Sequence, residues 1–295
     1  VAISRQAAQG STPRWSDYLA LTKPGITLFV TLTALVGFVL ASPGSLEAGR
    51  LAGVLAGTAL VASGAAALNM VLERGIDARM QRTRGRPLPA GRISTGAALV
   101  FGAGLSLLGW AVLVVAGGLT PAGVSFLTWA LYLFFYTPLK PRTSLATLFG
   151  AVPGALPPLI GWLSARPDLG PGAFALFAIQ FLWQIPHFLA IAWMYRDDYA
   201  AGGLPMLPVL DGSITARQAV ATSAALLFTS LTPVAARLAG ALYAACAVAA
   251  GAAVLSTAIA LLVTRSRPAA RRLFFASLAY LPLVCVALLL DRRTP

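Results

Sequence analysis

Nine apolar runs, each close to the length that crosses a bilayer, divide this chain and limit what it can fold into. They fall at about 26–41, 51–72, 96–117, 120–136, 145–164, 173–194, 216–236, 239–264 and 273–290. Inside hydrocarbon a backbone must satisfy its own N–H and C=O groups, so only helices or closed barrels span it. Barrel strands need only about 10 residues, whereas these runs approach the ~20 of a spanning helix. The expected fold class is therefore all-α, a polytopic membrane protein with nine transmembrane helices arranged around a central cavity. A chain that is 58% hydrophobic and 11% charged agrees, being far from the balance of a soluble domain. Residues 1–22 read as a polar, cytoplasmic N-terminal segment, with a short interfacial helix near Trp15-Ser16-Asp17-Tyr18. Residues 23–295 read as a single nine-helix domain. The first run follows a polar leader and Lys23-Pro24, so it reads as an uncleaved span rather than a signal peptide.

The net charge of +13 would suit nucleic acid, but its placement argues for topology instead. Lys and Arg number 17 in the N-terminus and the loops after even-numbered runs, against 5 on the other side. By the positive-inside rule the N-terminus is cytoplasmic and the C-terminus outside, as in a bacterial-type plasma (inner) membrane. The lipid bilayer, and no nucleic acid, is the expected macromolecular surroundings. Cys246 and Cys285 lie in apolar runs and read as small buried residues without disulfide or metal spacing.

Polar chemistry concentrates at the end of the second run. If its helix continues, Asn69, Glu73 and Asp77 turn only about 40° from one another and form one oxygen-bearing stripe. Arg74, Arg79, Arg82, Arg84, Arg86 and Arg92 follow. Acids near hydrocarbon are costly unless they face protein, water or an ion. One or two carboxylates completed by water and phosphate oxygens suit Mg²⁺, and arginines suit the phosphates. The alternative is a solvated, positive-inside loop with incidental acids.

A second acidic group, Asp197 and Asp198 beside Arg196, follows the sixth run and belongs to the same membrane face. Lys140 and Arg142, set among Pro138 and Pro141, also lie on that face. Together they suggest a two-sided clamp on metal and diphosphate. Pro153, Pro157 and Pro158 predict a kinked or broken fifth helix, tolerated where it lines a cavity. Runs seven to nine carry no comparable polar group and read as scaffold. His187 is the one histidine; on an unbroken helix it and Asp198 share a face, about 16 Å apart. It reads either as a ligand to haem iron or as a buried residue hydrogen-bonded to a neighbouring helix.

These blocks resemble the intramembrane (UbiA-type) prenyltransferases, most closely their haem O synthase branch. The resemblance rests on N-x-x-x-E-x-x-x-D at Asn69–Asp77, RTRGRPLPAGR at Arg82–Arg92 and YTPLKPRT at Tyr136–Thr143. GALPPLIGW at Gly154–Trp162 and WQIPHFLAIAWMYRDDYAAGGLPMLPV at Trp183–Val209 extend it, and the last favours the haem branch. Glu73 stands where the family often has Asp, Gly25 where a basic residue often follows Lys-Pro, and Gly75 at a frequently acidic position.

The resemblance implies transfer of a farnesyl group from farnesyl diphosphate to the vinyl group of haem B, with water addition, giving haem O. It implies Mg²⁺ as cofactor and a haem A synthase as a downstream partner. Asn69, Glu73, Asp77 and Asp198 would be catalytic, with Asp197 joining them around the metal. Lys23, Arg82, Arg86, Lys140, Arg142 and Arg196 would contact diphosphate, and His187 would belong to the haem site. Rival expectations are a prenyltransferase for a quinone precursor, a transporter, and a non-catalytic haem chaperone.

Overall fold

The computed structural model describes residues 13–293, so the first twelve residues of the expected N-terminal segment lie outside it. Among the described residues, nine helices are long and apolar enough to cross a membrane. In order they are Pro24–Ala41, Ala48–Asp77, Thr95–Ala116, Leu119–Leu139, Ala146–Ala165, Pro171–Met194, Gly212–Ala235, Ala241–Thr264 and Arg267–Leu290. The chain is an integral membrane protein. Strand pairing among the described residues is a single bridge, Ala239 to Arg292.

Lipid offers helices no hydrophobic reason to associate, so close packing of small residues has to hold them together. Spans two and three meet in this way. A Cβ at Gly64 would lie 2.3 Å from Ser106 Oγ and 2.6 Å from the Gly102 carbonyl oxygen. Spans one and five meet more tightly: a Cβ at Gly37 would fall 1.9 Å from the Pro158 oxygen, and one at Gly161 1.8 Å from the Ala34 oxygen. The largest buried cluster then joins spans one, five and six to seven, eight and nine through Val36, Trp162, Trp183, Leu226, Tyr243 and Tyr280.

Four departures from regular helix shape the molecule. Span two has 30 residues, about 45 Å of helix against ~30 Å of hydrocarbon, so it is longer than a crossing needs. Span four changes to π-helix over Leu131–Tyr136, which nothing in its composition announces. Span five breaks into Ala146–Gly154 and Pro157–Ala165, as its prolines predict. Span six ends at Met194, and a separate short helix, Arg196–Ala201, follows. The unbroken helix that would put His187 and Asp198 on one face is therefore absent.

The expected interfacial helix forms over Trp15–Leu21. Leu21 is buried, Tyr18 packs edge-on to Phe101 at 5.1 Å, and Trp15 is exposed. Asp17 pairs with Arg92 at 2.7 Å, and that guanidinium holds the carboxyl below its usual range. Cys285 is buried as expected, whereas Cys246 is only half-buried.

Candidate active site

The end of span two supplies the oxygen atoms. Asn69, Glu73 and Asp77 are 1%, 6% and 1% exposed, on successive turns of one helix face. Each is met by a cation. Lys23 Nζ donates to Asn69 Oδ1 at 2.9 Å, Lys140 Nζ to Glu73 Oε1 at 2.7 Å, and Arg86 Nη1 to Asp77 Oδ2 at 2.7 Å. These six side chains come from the start of span one, the end of span two, the following loop and the end of span four.

Local backbone explains how they arrive. Lys23 precedes Pro24 with φ 46 and ψ 63, a left-handed conformation that a lysine adopts only when its surroundings fix it. Burial lowers its ammonium to about 8, against the pull of Glu73. At span four the Thr137 hydroxyl donates to the Tyr132 carbonyl, 2.8 Å away and five residues back, as π winding allows. Its Oγ1 also accepts from Asn69 Nδ2 at 3.0 Å, which ties the π segment to span two. Tyr132 and Tyr136 stack at 5.6 Å, and Lys140 passes over Tyr136 at 5.4 Å on its way to Glu73. Burial works against the Lys140 ammonium, but the paired Glu73 carboxylate keeps it protonated above the usual lysine range.

The loop after span two is seated by Met80, Leu88 and Ile93, all buried. Thr83 Oγ1 caps the Asp77 carbonyl at 2.8 Å. Asp198 belongs to this loop's support: its Oδ1 accepts from the Gln81 N–H at 3.0 Å and its Oδ2 from the Arg82 N–H at 3.1 Å. The Arg82 guanidinium lies over Tyr195 at 4.9 Å, so the short helix after span six holds the loop at two points.

The structure thus gathers Lys23, Asn69, Glu73, Asp77, Arg86 and Lys140 into one cluster and sets Arg82 and Asp198 beside it. It leaves Arg142, Arg196 and Asp197 exposed; the Asp197 side chain is 94% accessible and lies 3.7 Å from Arg196. His187 is buried apart from the cluster, against Trp183 and Phe274. Thr137, Tyr132 and Tyr136 were not expected at the site. Tyr136 and Thr137 open the YTPLKPRT block, which could have pointed to them; for Tyr132 only its nearness to that block could.

Among the described residues, no group of three or more His, Cys, Asp or Glu side chains closes on a common point as a complete metal cage. What the cluster offers is two carboxylates and an amide oxygen for a hard cation, with three cations whose N–H groups suit phosphate oxygens. An open groove of about 940 Å³ beside Arg50 and Gly53 lies at the opposite end of span two and takes no part.

The UbiA prenyltransferase family model matches residues 30–279. The chain belongs to the UbiA prenyltransferase family. A family member from Solibacter usitatus, named protoheme IX farnesyltransferase, is 43% identical over 287 residues, 94% of this chain and 98% of its own. Another of that name, from Salinibacter ruber, is 45% identical over 277 residues, covering 93% and 98%. In fold the chain resembles a UbiA homologue from Aeropyrum pernix K1 (TM-score 0.73, 21% identity, 90% of this chain and 97% of that one). It also resembles one from Archaeoglobus fulgidus bound to GPP and Mg²⁺ (TM-score 0.64, 14% identity, 92% and 99%). At those identities the likeness to this UbiA member is one of fold.

Proposed function

We propose that this chain transfers the farnesyl group of farnesyl diphosphate to the vinyl group of haem B, with addition of water, giving haem O. The observation that carries this reading is the paired cluster of Lys23, Asn69, Glu73, Lys140, Asp77 and Arg86, in a chain whose full-length relatives bear that activity's name. A quinone precursor as acceptor finds no such support.

Loss of diphosphate from an allylic carbon builds negative charge on the leaving oxygens, so the reaction needs charge neutralised there far more than it needs a base. Lys23, Lys140 and Arg86 would take those oxygens by exchanging their carboxylate and amide partners for phosphate. Arg82, on the adjoining loop, adds a further cation. Glu73, Asp77 and Asn69 would hold Mg²⁺, which when bound would neutralise part of the diphosphate's negative charge; one or two carboxylates with water and phosphate complete its preferred shell. The C1–O bond breaks with its electron pair leaving on diphosphate. The vinyl carbon of haem B then attacks the farnesyl cation, water adds to the new cation, and one proton is released. Asp198 serves by seating the Arg82 loop.

His187 is the haem-site residue, its imidazole the ligand for the iron of the bound acceptor. The diphosphate end faces the cytoplasm of a bacterial-type inner membrane, with the C-terminus outside, and haem O leaves as the substrate for a haem A synthase. Membranes bearing the chain, given farnesyl diphosphate, Mg²⁺ and either haem B or an aromatic acid, test the reading. Haem B is expected to be farnesylated; conversion of the aromatic acid alone would overturn it.

A further inference from the structure

Ser277, in the middle of span nine, lies in a region whose sequence reads as scaffold, yet it touches the one histidine. His187 Nδ1 is 2.9 Å from Ser277 Oγ, and both residues are buried. Which of them donates is settled by a third group. Ser277 Oγ lies 2.8 Å from the Phe274 carbonyl oxygen, which can only accept, so the hydroxyl's single hydrogen is spent there. Toward His187 the hydroxyl therefore accepts, and Nδ1 carries the ring hydrogen. In a neutral imidazole that leaves the lone pair on Nε2.

The ring can neither flip nor tilt easily. Trp183 stacks on it at 5.0 Å and 21°, and Phe274 at 5.0 Å and 29°. Trp183 is itself fixed to the same serine, its Nε1 donating to the Ser277 carbonyl at 2.6 Å. Span nine thus supplies a hydroxyl, a carbonyl and an aromatic face within one turn, and all three act on two residues of span six. For a histidine with no outlet this would be redundant; for a ligand, a donor hydrogen bond from the far nitrogen is what fixes tautomer and aim.

We propose that Ser277 is a positioning residue of the haem site, holding His187 as the Nδ1–H tautomer so that Nε2 presents its lone pair to the haem iron. This rests on the reading of His187 given above. The test uses the full-length chain in lipid nanodiscs with ferric haem B and no farnesyl diphosphate. Haem affinity and the Soret and electron paramagnetic resonance signals are read for wild type, His187→Ala, Ser277→Ala, Ser277→Thr and the His187→Ala/Ser277→Ala pair. Ser277→Ala is expected to weaken haem binding about 10- to 100-fold, the range for loss of an outer-shell partner, and to weaken the histidine-ligation signal. In separate turnover assays the KM for farnesyl diphosphate should stay as in wild type. Ser277→Thr, which keeps the hydroxyl, should restore binding, and the double variant should match His187→Ala, because the serine acts only through the ring. Wild-type haem binding and spectrum in Ser277→Ala, with His187→Ala impaired, overturns the role of Ser277 alone. Unchanged binding in His187→Ala overturns both.

Discussion

Asp77 and Asp198 are two aspartates from neighbouring corners of the molecule, but they are held by different kinds of partner. Asp77 is fully buried and faces a guanidinium; Asp198 is half-exposed and faces two backbone N–H groups. Asp77→Asn removes the charge that balances Arg86 and, in the proposed reaction, an oxygen ligand beside the leaving group. A fall in kcat of about 10²–10³ is expected, the size seen when one group is lost from developing charge. Asp198→Asn keeps one acceptor and turns the other toward an N–H as a donor. That loosens the Arg82 loop, so the KM for farnesyl diphosphate should rise about 10-fold or more, from one lost charged hydrogen bond, with kcat nearly kept. Steady-state kinetics of the two purified variants separate these outcomes; an equal loss of kcat in both would place Asp198 at the reacting charge as well. At this scale the stripe at Asn69, Glu73 and Asp77 was legible because a period of four on a helix is rigid geometry. The partners of Asp198 were not, since nothing in the sequence near Asp198 announces the distant backbone N–H groups of Gln81 and Arg82.

Spans are legible as long as their irregularities have a chemical mark. The break in span five is announced by Pro153, Pro157 and Pro158, and the small residues of span two announce its close neighbour. The π winding of Leu131–Tyr136 has no such mark, and Thr137 and Lys140, which follow it, contact residues of span two far off in sequence. The end of span six at Met194 is likewise hidden in a sequence that could continue as helix. Glycines divide in the same way, by what they touch. Gly161→Ala would drive a methyl group into the Ala34 carbonyl and part spans one and five, the junction from which Lys23 reaches the site. Overpacking of this kind costs about 1–3 kcal/mol, so a lower melting temperature and weaker farnesyl diphosphate binding are expected. Gly104→Ala, with nothing within 4 Å of the added carbon, should leave both unchanged or raise stability slightly. Melting curves in one detergent compare the two directly, and equal curves would mean that the contact at Gly161 relaxes without cost.

The two ends of the molecule are built for different surroundings. At one end six polar side chains, a seated loop and the docked helix Trp15–Leu21 gather where a charged, water-soluble diphosphate can arrive. At the other, the chain's last described residues fasten the bundle: Asp291 accepts from the Gly240 and Tyr243 N–H groups at 2.9 and 2.8 Å, and Arg292 holds the Ser42 carbonyl. In the proposed orientation, read from the 17 to 5 excess of Lys and Arg, the first end faces the cytoplasm. Farnesyl diphosphate cannot cross the bilayer unaided, so this orientation also decides which pool of substrate the enzyme can use. Exposed positions at each end make it measurable. Ser45 lies between spans one and two, and Thr264 closes span eight on the other side. In a chain with Cys246 and Cys285 replaced by alanine, Ser45→Cys should react with a membrane-impermeant maleimide in intact cells. Thr264→Cys should react only after permeabilisation. The reverse pattern would put the diphosphate cluster outside, away from any cytoplasmic isoprenoid, and the charge count would then be reporting something other than topology.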